Sequence, residues 1–104
     1  MINPNTIIME NIEAEKAVSI VREILAPRLS PEKITYKTMK GYTAILLEDD
    51  RYQTICRLYL NNERRKYLGI LSKHKIETRS RIQSINEIFN HSNDLLKNIS
   101  IYIG

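Results

Sequence analysis

Arg57 stands inside "ICRLYLN", residues 55 to 61, where every second side chain is apolar. A charged side chain is almost never fully buried without a partner, so its chemistry must face something other than a core. The other reactive types are scattered. Glu48, Asp49 and Asp50 are adjacent acids. A metal-dependent nuclease site needs a carboxylate and then an acid-x-lysine on neighbouring strands, to hold a divalent ion and position water. No such tripeptide follows on the next strand, and Glu77-Thr78-Arg79 puts a side chain that does not deprotonate in the lysine place. The acid run therefore reads as a solvated turn. His74 and His91 lack the cysteines or patterned acids of a zinc site. No serine or cysteine has a base partner, and Gly41, Gly69 and Gly104 stand alone rather than forming a phosphate loop. Cys56 alternates with Leu58 and Leu60 and reads as a small core residue. The expectation is a non-enzyme with no catalytic residue, no metal and no cofactor.

The elements that must position these residues follow from periodicity. Ala14, Ala17, Val18, Val21, Ile24 and Leu25 recur at three- and four-residue steps, predicting a helix over 12–25 with Asn11 as its N-cap. Pro27 ends it. The period then falls to two. Strands are expected over 34–37, 42–47, 54–60, 66–71 and, as a fifth, 76–82. "EDDRYQ" (48–53) is expected to be a hairpin loop and "NNERR" (61–65) a turn. Ser84 and Glu87 form a capping box that opens a second helix. Its apolar stripe is Ile85, Ile88, Phe89, Ser92, Leu95, Leu96 and Ile99, and the asparagine-rich "NHSND" predicts a kink or fraying midway. Short connections force an antiparallel meander, and one stripe per helix places both helices on one face. The predicted fold is an α+β two-layer sandwich, with an antiparallel sheet of four or five strands and N- and C-terminal helices on one face. The 104 residues make a single domain, 1–104, with 1–10 as a disordered lead.

Alternation then sorts the strands. Cys56, Leu58 and Leu60 share one face with Leu68 and Ile70. The opposite face carries Tyr42, Arg57, Tyr59 and Tyr67, with Ala44, Leu46, Ile55 and Leu71 beside them. Arginine stacks on aromatic rings and stays charged, so such a face can bind phosphate and stack bases. It can also meet a copy of itself, because tyrosine and arginine are enriched at interface hot spots and the apolar neighbours need cover. A third use is a half-solvated surface with tyrosines chosen for β-propensity. On residue chemistry alone, self-association leads.

The net charge is +4, unevenly spread. From Arg57 to Arg81 eight basic residues face two acidic ones, and the remainder of the chain is net acidic. A basic half fits an anionic partner; it also fits a sheet edge guarded against aggregation. No stretch approaches the ~20 apolar residues of a membrane helix. A single cysteine permits no internal disulfide, which fits a reducing compartment. The expected setting is cytoplasmic, with no membrane partner.

One long stretch, "ITYKTMKGYTAILLEDDRYQTICRLYLNNERRKYLGIL", resembles the C-terminal region of prokaryotic restriction-endonuclease-like proteins. Those proteins carry a nuclease domain like the N-terminal part of type I restriction R subunits. The shared pattern is "ILLDDN…ICRLYFN…KYIGI", matched here at Ile45, Leu46, Leu47, Asp49, Ile55, Cys56 and Arg57, and again at Leu58, Tyr59, Asn61, Lys66, Tyr67 and Gly69. The similarity covers the accessory region and not the nuclease domain. It implies an accessory module of restriction or anti-phage defence; with the residue chemistry above, the expectation is a non-catalytic binding or assembly module, self-associating and recognising an anionic ligand, nucleic acid or nucleotide. The expected ligand contacts are Arg57, Arg64, Arg65 and Lys66 for phosphate, with Tyr59 and Tyr67 stacking. Tyr42, Ala44, Leu46 and Ile55 are the expected interface. Two alternatives stand beside this: a purely structural homodimerisation domain, and a small phage or host protein that sequesters a nucleotide signal in an enclosed pocket.

Overall fold

In the computed structural model, which describes residues 4–103 with side chains from residue 12 on, a five-stranded antiparallel sheet carries helices on one face. The elements are α1 (Pro4–Leu25), β1 (Ile34–Met39), β2 (Tyr42–Leu47), β3 (Asp50–Tyr59), β4 (Lys66–Leu71), β5 (Glu77–Ile82) and α2 (Ser92–Ile103). The sheet order is β1-β2-β3-β4-β5, a simple meander as short connections demand.

Helix α1 starts earlier than the sequence pattern predicts. Pro4 sits at its first position, where a missing N–H costs nothing, and residues 5–11 continue the helix. Asn11 is therefore an interior residue and not an N-cap. The expected disordered lead falls partly on these first turns, and residues 1–3 lie outside the described residues. At its other end α1 is fastened to the sheet by Arg22, whose Nη2 donates to the Ile34 carbonyl at 2.7 Å.

The second helical region is two segments. A 3-10 helix, Ile85–His91, precedes α2, and the junction falls in "NHSND". Glu87 accepts from the Ser84 N–H at 3.0 Å, so the carboxylate arm of the predicted capping box is made. Phe89 departs from the expected stripe and is 42% exposed. Three residues per turn stack Ile85, Ile88 and His91 on one side, which rotates Phe89 off the core.

One core lies between the layers. Ala17, Val21 and Leu25 of α1 and Ile88, Leu95 and Ile99 meet Ile45, Cys56, Leu58 and Leu68 of the sheet, all fully buried. Cys56 is sealed in this core, and burial pushes its thiol up to about 12. It is inert as a nucleophile. Among the described residues no helix is long and apolar enough to cross a membrane.

The 48–53 segment is not an open hairpin loop. Leu47 pairs with Asp50, leaving a two-residue turn at Glu48 and Asp49, both with left-handed φ (52° and 60°). The missing residues are absorbed by irregular pairing: Ile45 pairs with Cys56, but Leu46 with Thr54. The extra residue on β3 between those pairs is Ile55, so β2 and β3 are joined across a bulge.

Candidate binding face

The face away from the helices is built by cross-strand rows. Lys37, Ala44, Arg57, Gly69 and Arg79 form one, each paired to the next. Tyr59, Tyr67 and Arg81 form the adjacent row. Tyr42 joins it, with its ring centroid 5.7 Å from that of Tyr59. This settles what Arg57 meets. Its guanidinium lies over the Tyr42 ring at 5.3 Å, and Arg79 lies over the Tyr59 ring at 3.9 Å. Both guanidinium groups lie on an aromatic bed, a favourable cation–π arrangement.

Glu77 organises the centre. Its Oε1 accepts from the Tyr59 hydroxyl at 2.6 Å, and its Oε2 pairs with Arg79 Nη2 at 3.1 Å. A glycine at position 69 makes this possible, because a Cβ there would run into the Glu77 carboxylate. Burial pushes the Glu77 carboxyl up. The hydrogen bonds from Tyr59 and Arg79 and the positive charges of Arg79 and Arg57 outweigh it, and the group sits below the usual carboxylate value. Tyr59 is shifted upward, first by burial and then by its bond to Glu77 and that carboxylate's charge; Arg57 and Arg79 offset part of this. Against one engaged carboxylate the face carries Lys37, Arg57, Arg79 and Arg81.

The expected site residues divide. Arg57, Tyr59 and Tyr67 share this face, as alternation requires. Arg64 and Arg65 are exposed in the β3–β4 turn beside it, and the Arg64 carbonyl accepts from Arg81 Nη2 at 2.9 Å. Lys66 does not belong with them. It pairs across the strands with Ile82 on the helix side, and its ammonium meets Glu13 of α1 at 2.7 Å with the side chain 14% exposed. A lysine already neutralised beneath a helix is not a phosphate contact.

The expected interface also divides. Tyr42 is half-exposed on the uncovered face. Ala44 and Leu46 are buried, as is Leu71, yet none of the three belongs to the helix-side core. Arg57 lies across the strands from Ala44, and Glu77 from Leu71. Ile55 is the clear correction. It is fully buried within the helix-side core, because the bulge lets both Ile55 and Cys56 turn towards the helices. The carbonyls freed there are taken by α2: Asn98 Nδ2 donates to Ile55 O at 2.8 Å and the Tyr102 hydroxyl to Thr54 O at 3.0 Å.

Sequence reasoning missed Glu77, Arg79 and Arg81 as members of the face. The signal was available, since β5 alternates and these three occupy the positions opposite Thr78, Ser80 and Ile82. Glu48, Asp49 and Asp50 lie at the turn, and Asp50 Oδ1 accepts from the Tyr52 N–H at 2.9 Å. Among the described residues no group of three histidine, cysteine or acidic side chains is placed to hold a metal ion. Comparison with protein-family models, curated proteins and solved structures finds no match for this chain.

Proposed function

We propose that this protein is a non-catalytic binding module whose uncovered sheet face recognises an anionic ligand, single-stranded nucleic acid being the class that fits best. The observation that carries the reading is the cluster of Arg57, Arg79 and Arg81 on a bed of Tyr42, Tyr59 and Tyr67, with one carboxylate that is already engaged. Guanidinium planes and tyrosine rings stack bases without regard to sequence, and the surplus cations neutralise phosphates. Burial of Ala44, Leu46 and Leu71 within one chain weighs in the same direction. These residues do not need a second copy to cover them, which removes the main argument for putting self-association first.

Self-association is the second reading, and it moves from the face to the edge. β1 is an edge strand with exposed Tyr36 and Met39, and an unpaired edge invites strand addition. A place in restriction or anti-phage defence rests on the resemblance alone, which covers about residues 12–97.

Fluorescence anisotropy with short labelled single-stranded DNA and RNA, across a salt series, tests the reading. Wild type should bind with a steep loss of affinity as salt rises, and Arg57→Ala/Arg79→Ala should bind more weakly with a shallower slope. Binding that ignores salt, or a folded double variant with unchanged affinity, refutes it. Light scattering on the same samples reports whether mass changes with the ligand or without it.

A further inference from the structure

Behind β4 and β5, on the helix side, the sheet extends beyond the layer that covers it. Of the helix-side residues of β5 only Ile82 is buried, while Thr78 is exposed and Ser80 half-buried. Between this overhang and α2 runs a groove of about 560 Å³. Small-molecule sites occupy roughly 300–1,000 Å³. Ile70 and Ile101 supply apolar walls, and Ser72, Thr78 and Ser80 supply hydroxyls. Lys73 from the strand turn and Lys97 from the helix stand on opposite sides, and neither has an ion-pair partner among the described residues. His91 and Asp94, 4.0 Å apart, complete the helix side.

A second observation comes from Asn98, which also lines the groove and is buried. Its amide orientation is fixed, because Nδ2 must be the atom that donates to the Ile55 carbonyl. That leaves Oδ1 as a buried acceptor with no donor among the described residues. Buried polar atoms are nearly always partnered, and this orphan belongs to a residue that lines the groove, so it is the acceptor nearest to hand for an incoming N–H.

We propose that this groove binds a mononucleotide, with the base between Ile70 and Ile101 donating an N–H to Asn98 Oδ1 and the phosphate held between Lys73 and Lys97. The flat base matches the apolar walls, the sugar meets the strand hydroxyls, and the lysines supply the charge that a phosphate needs. The site lies on the opposite side of the sheet from the arginine–tyrosine face and does not depend on the reading of that face.

Titration of isotope-labelled protein with AMP, GMP, CMP and UMP, followed by amide chemical shifts, tests it. Adenosine and inorganic phosphate serve as separate probes. At least one nucleotide should give saturable shifts at Ser72, Lys73, Thr78, Lys97 and Asn98, with adenosine and phosphate each binding more weakly. Lys73→Glu/Lys97→Glu should weaken binding by about tenfold or more, since both phosphate contacts are charge-assisted. Thr78→Trp, at an exposed position, should fill the groove and abolish binding while leaving the fold intact. Arg79→Glu, on the other face, should leave the affinity unchanged while it weakens oligonucleotide binding. No saturable shift, shifts confined to Arg57, Tyr59 and Tyr67, unchanged affinity in the lysine variant, or inorganic phosphate binding as tightly as the nucleotide would each overturn the proposal.

Discussion

The two faces of this sheet bury similar residues by different means. On the helix side Ile45, Cys56, Leu58 and Leu68 are covered by another layer, and the core is apolar. On the other side Ala44, Leu46 and Leu71 are also buried but lie outside that core, with Arg57 across the strands from Ala44 and Glu77 across from Leu71. Long amphipathic side chains can shield apolar surface with their stems and rings while their charged ends stay in water. The lesson is that an uncovered sheet need not be an unfinished one. Its polar strand positions also carry the arginine–tyrosine cluster.

The sharpest way to break the comparison is to remove one residue from each side. Leu58→Ala deletes core volume beneath two helices and should cost about 2–5 kcal/mol, read from the urea midpoint. Tyr67→Ala on the other side leaves a site that solvent can fill and should cost clearly less. Equal losses would mean that the polar layer packs like a core.

Next in size is Gly69→Ala. The added Cβ displaces the Glu77 carboxylate, so the Tyr59 bond and the Arg79 pair are lost together. The expected cost is about 1–3 kcal/mol, the range for leaving half-buried polar groups unpaired. In a double-mutant cycle Gly69→Ala and Tyr59→Phe should be strongly non-additive, because both break the same bond. Additive losses would show that the glycine matters for some other reason.

Titration separates the faces further. Glu77 is held below its ordinary value in the folded state, so its contribution is present above the unfolded carboxylate value and is lost as pH falls through the folded one. Tyr59 is held above its ordinary value of 10.0, so its contribution is full below that value and is lost as pH rises through the folded value. Stability should therefore fall on both flanks. Glu77→Gln should flatten the acid flank, and Tyr59→Phe the alkaline one, in urea midpoints measured across pH. Cys56, sealed on the helix side, should stay unreactive to thiol reagents until the protein unfolds.

How much of this was readable from residues alone follows the same division. Alternation placed Arg57, Tyr59 and Tyr67 together because β3 and β4 pair regularly from Cys56 to Tyr59. It failed at Ile55, because one extra residue in β3 resets the phase, and nothing in "QTIC" announces a bulge. The residue that stabilises the bulge, Asn98, lies 43 positions away and binds a backbone carbonyl, which leaves no trace in local pattern. Lys66 was legible and misjudged. Its spacing from Leu68 and Ile70 puts it on the helix side, yet its place beside Arg64 and Arg65 drew it into the basic cluster. Glu77 and Arg79 read as an acid-x-basic tripeptide within a basic run, and neither pattern shows that they partner Tyr59.

The smallest prediction concerns the turn that fixes which residue goes to which face. Glu48 and Asp49 both adopt left-handed φ, a conformation that disfavours side chains other than asparagine, aspartate and glycine. The turn is held in place by β1 and the residue before it, through Glu48 N–H to the Lys33 carbonyl at 2.7 Å and Asp49 N–H to Thr35 Oγ1 at 2.9 Å. Glu48→Gly removes the steric cost at the less tolerant position and keeps the backbone bond to Lys33. Left-handed backbone costs a residue with a side chain roughly 1–2 kcal/mol, and the added freedom of glycine in the unfolded chain takes back part of it. The variant should gain about 0.5–1 kcal/mol in urea unfolding. Register is set by the turn, and a slip of one residue would exchange the faces. The amide shifts of Arg57 and Leu58 should therefore stay where they are in the wild type. A gain in stability with those shifts moved would mean that Glu48 holds the register and not merely the turn. The division between an apolar face and a charged one would then rest on a single strained residue.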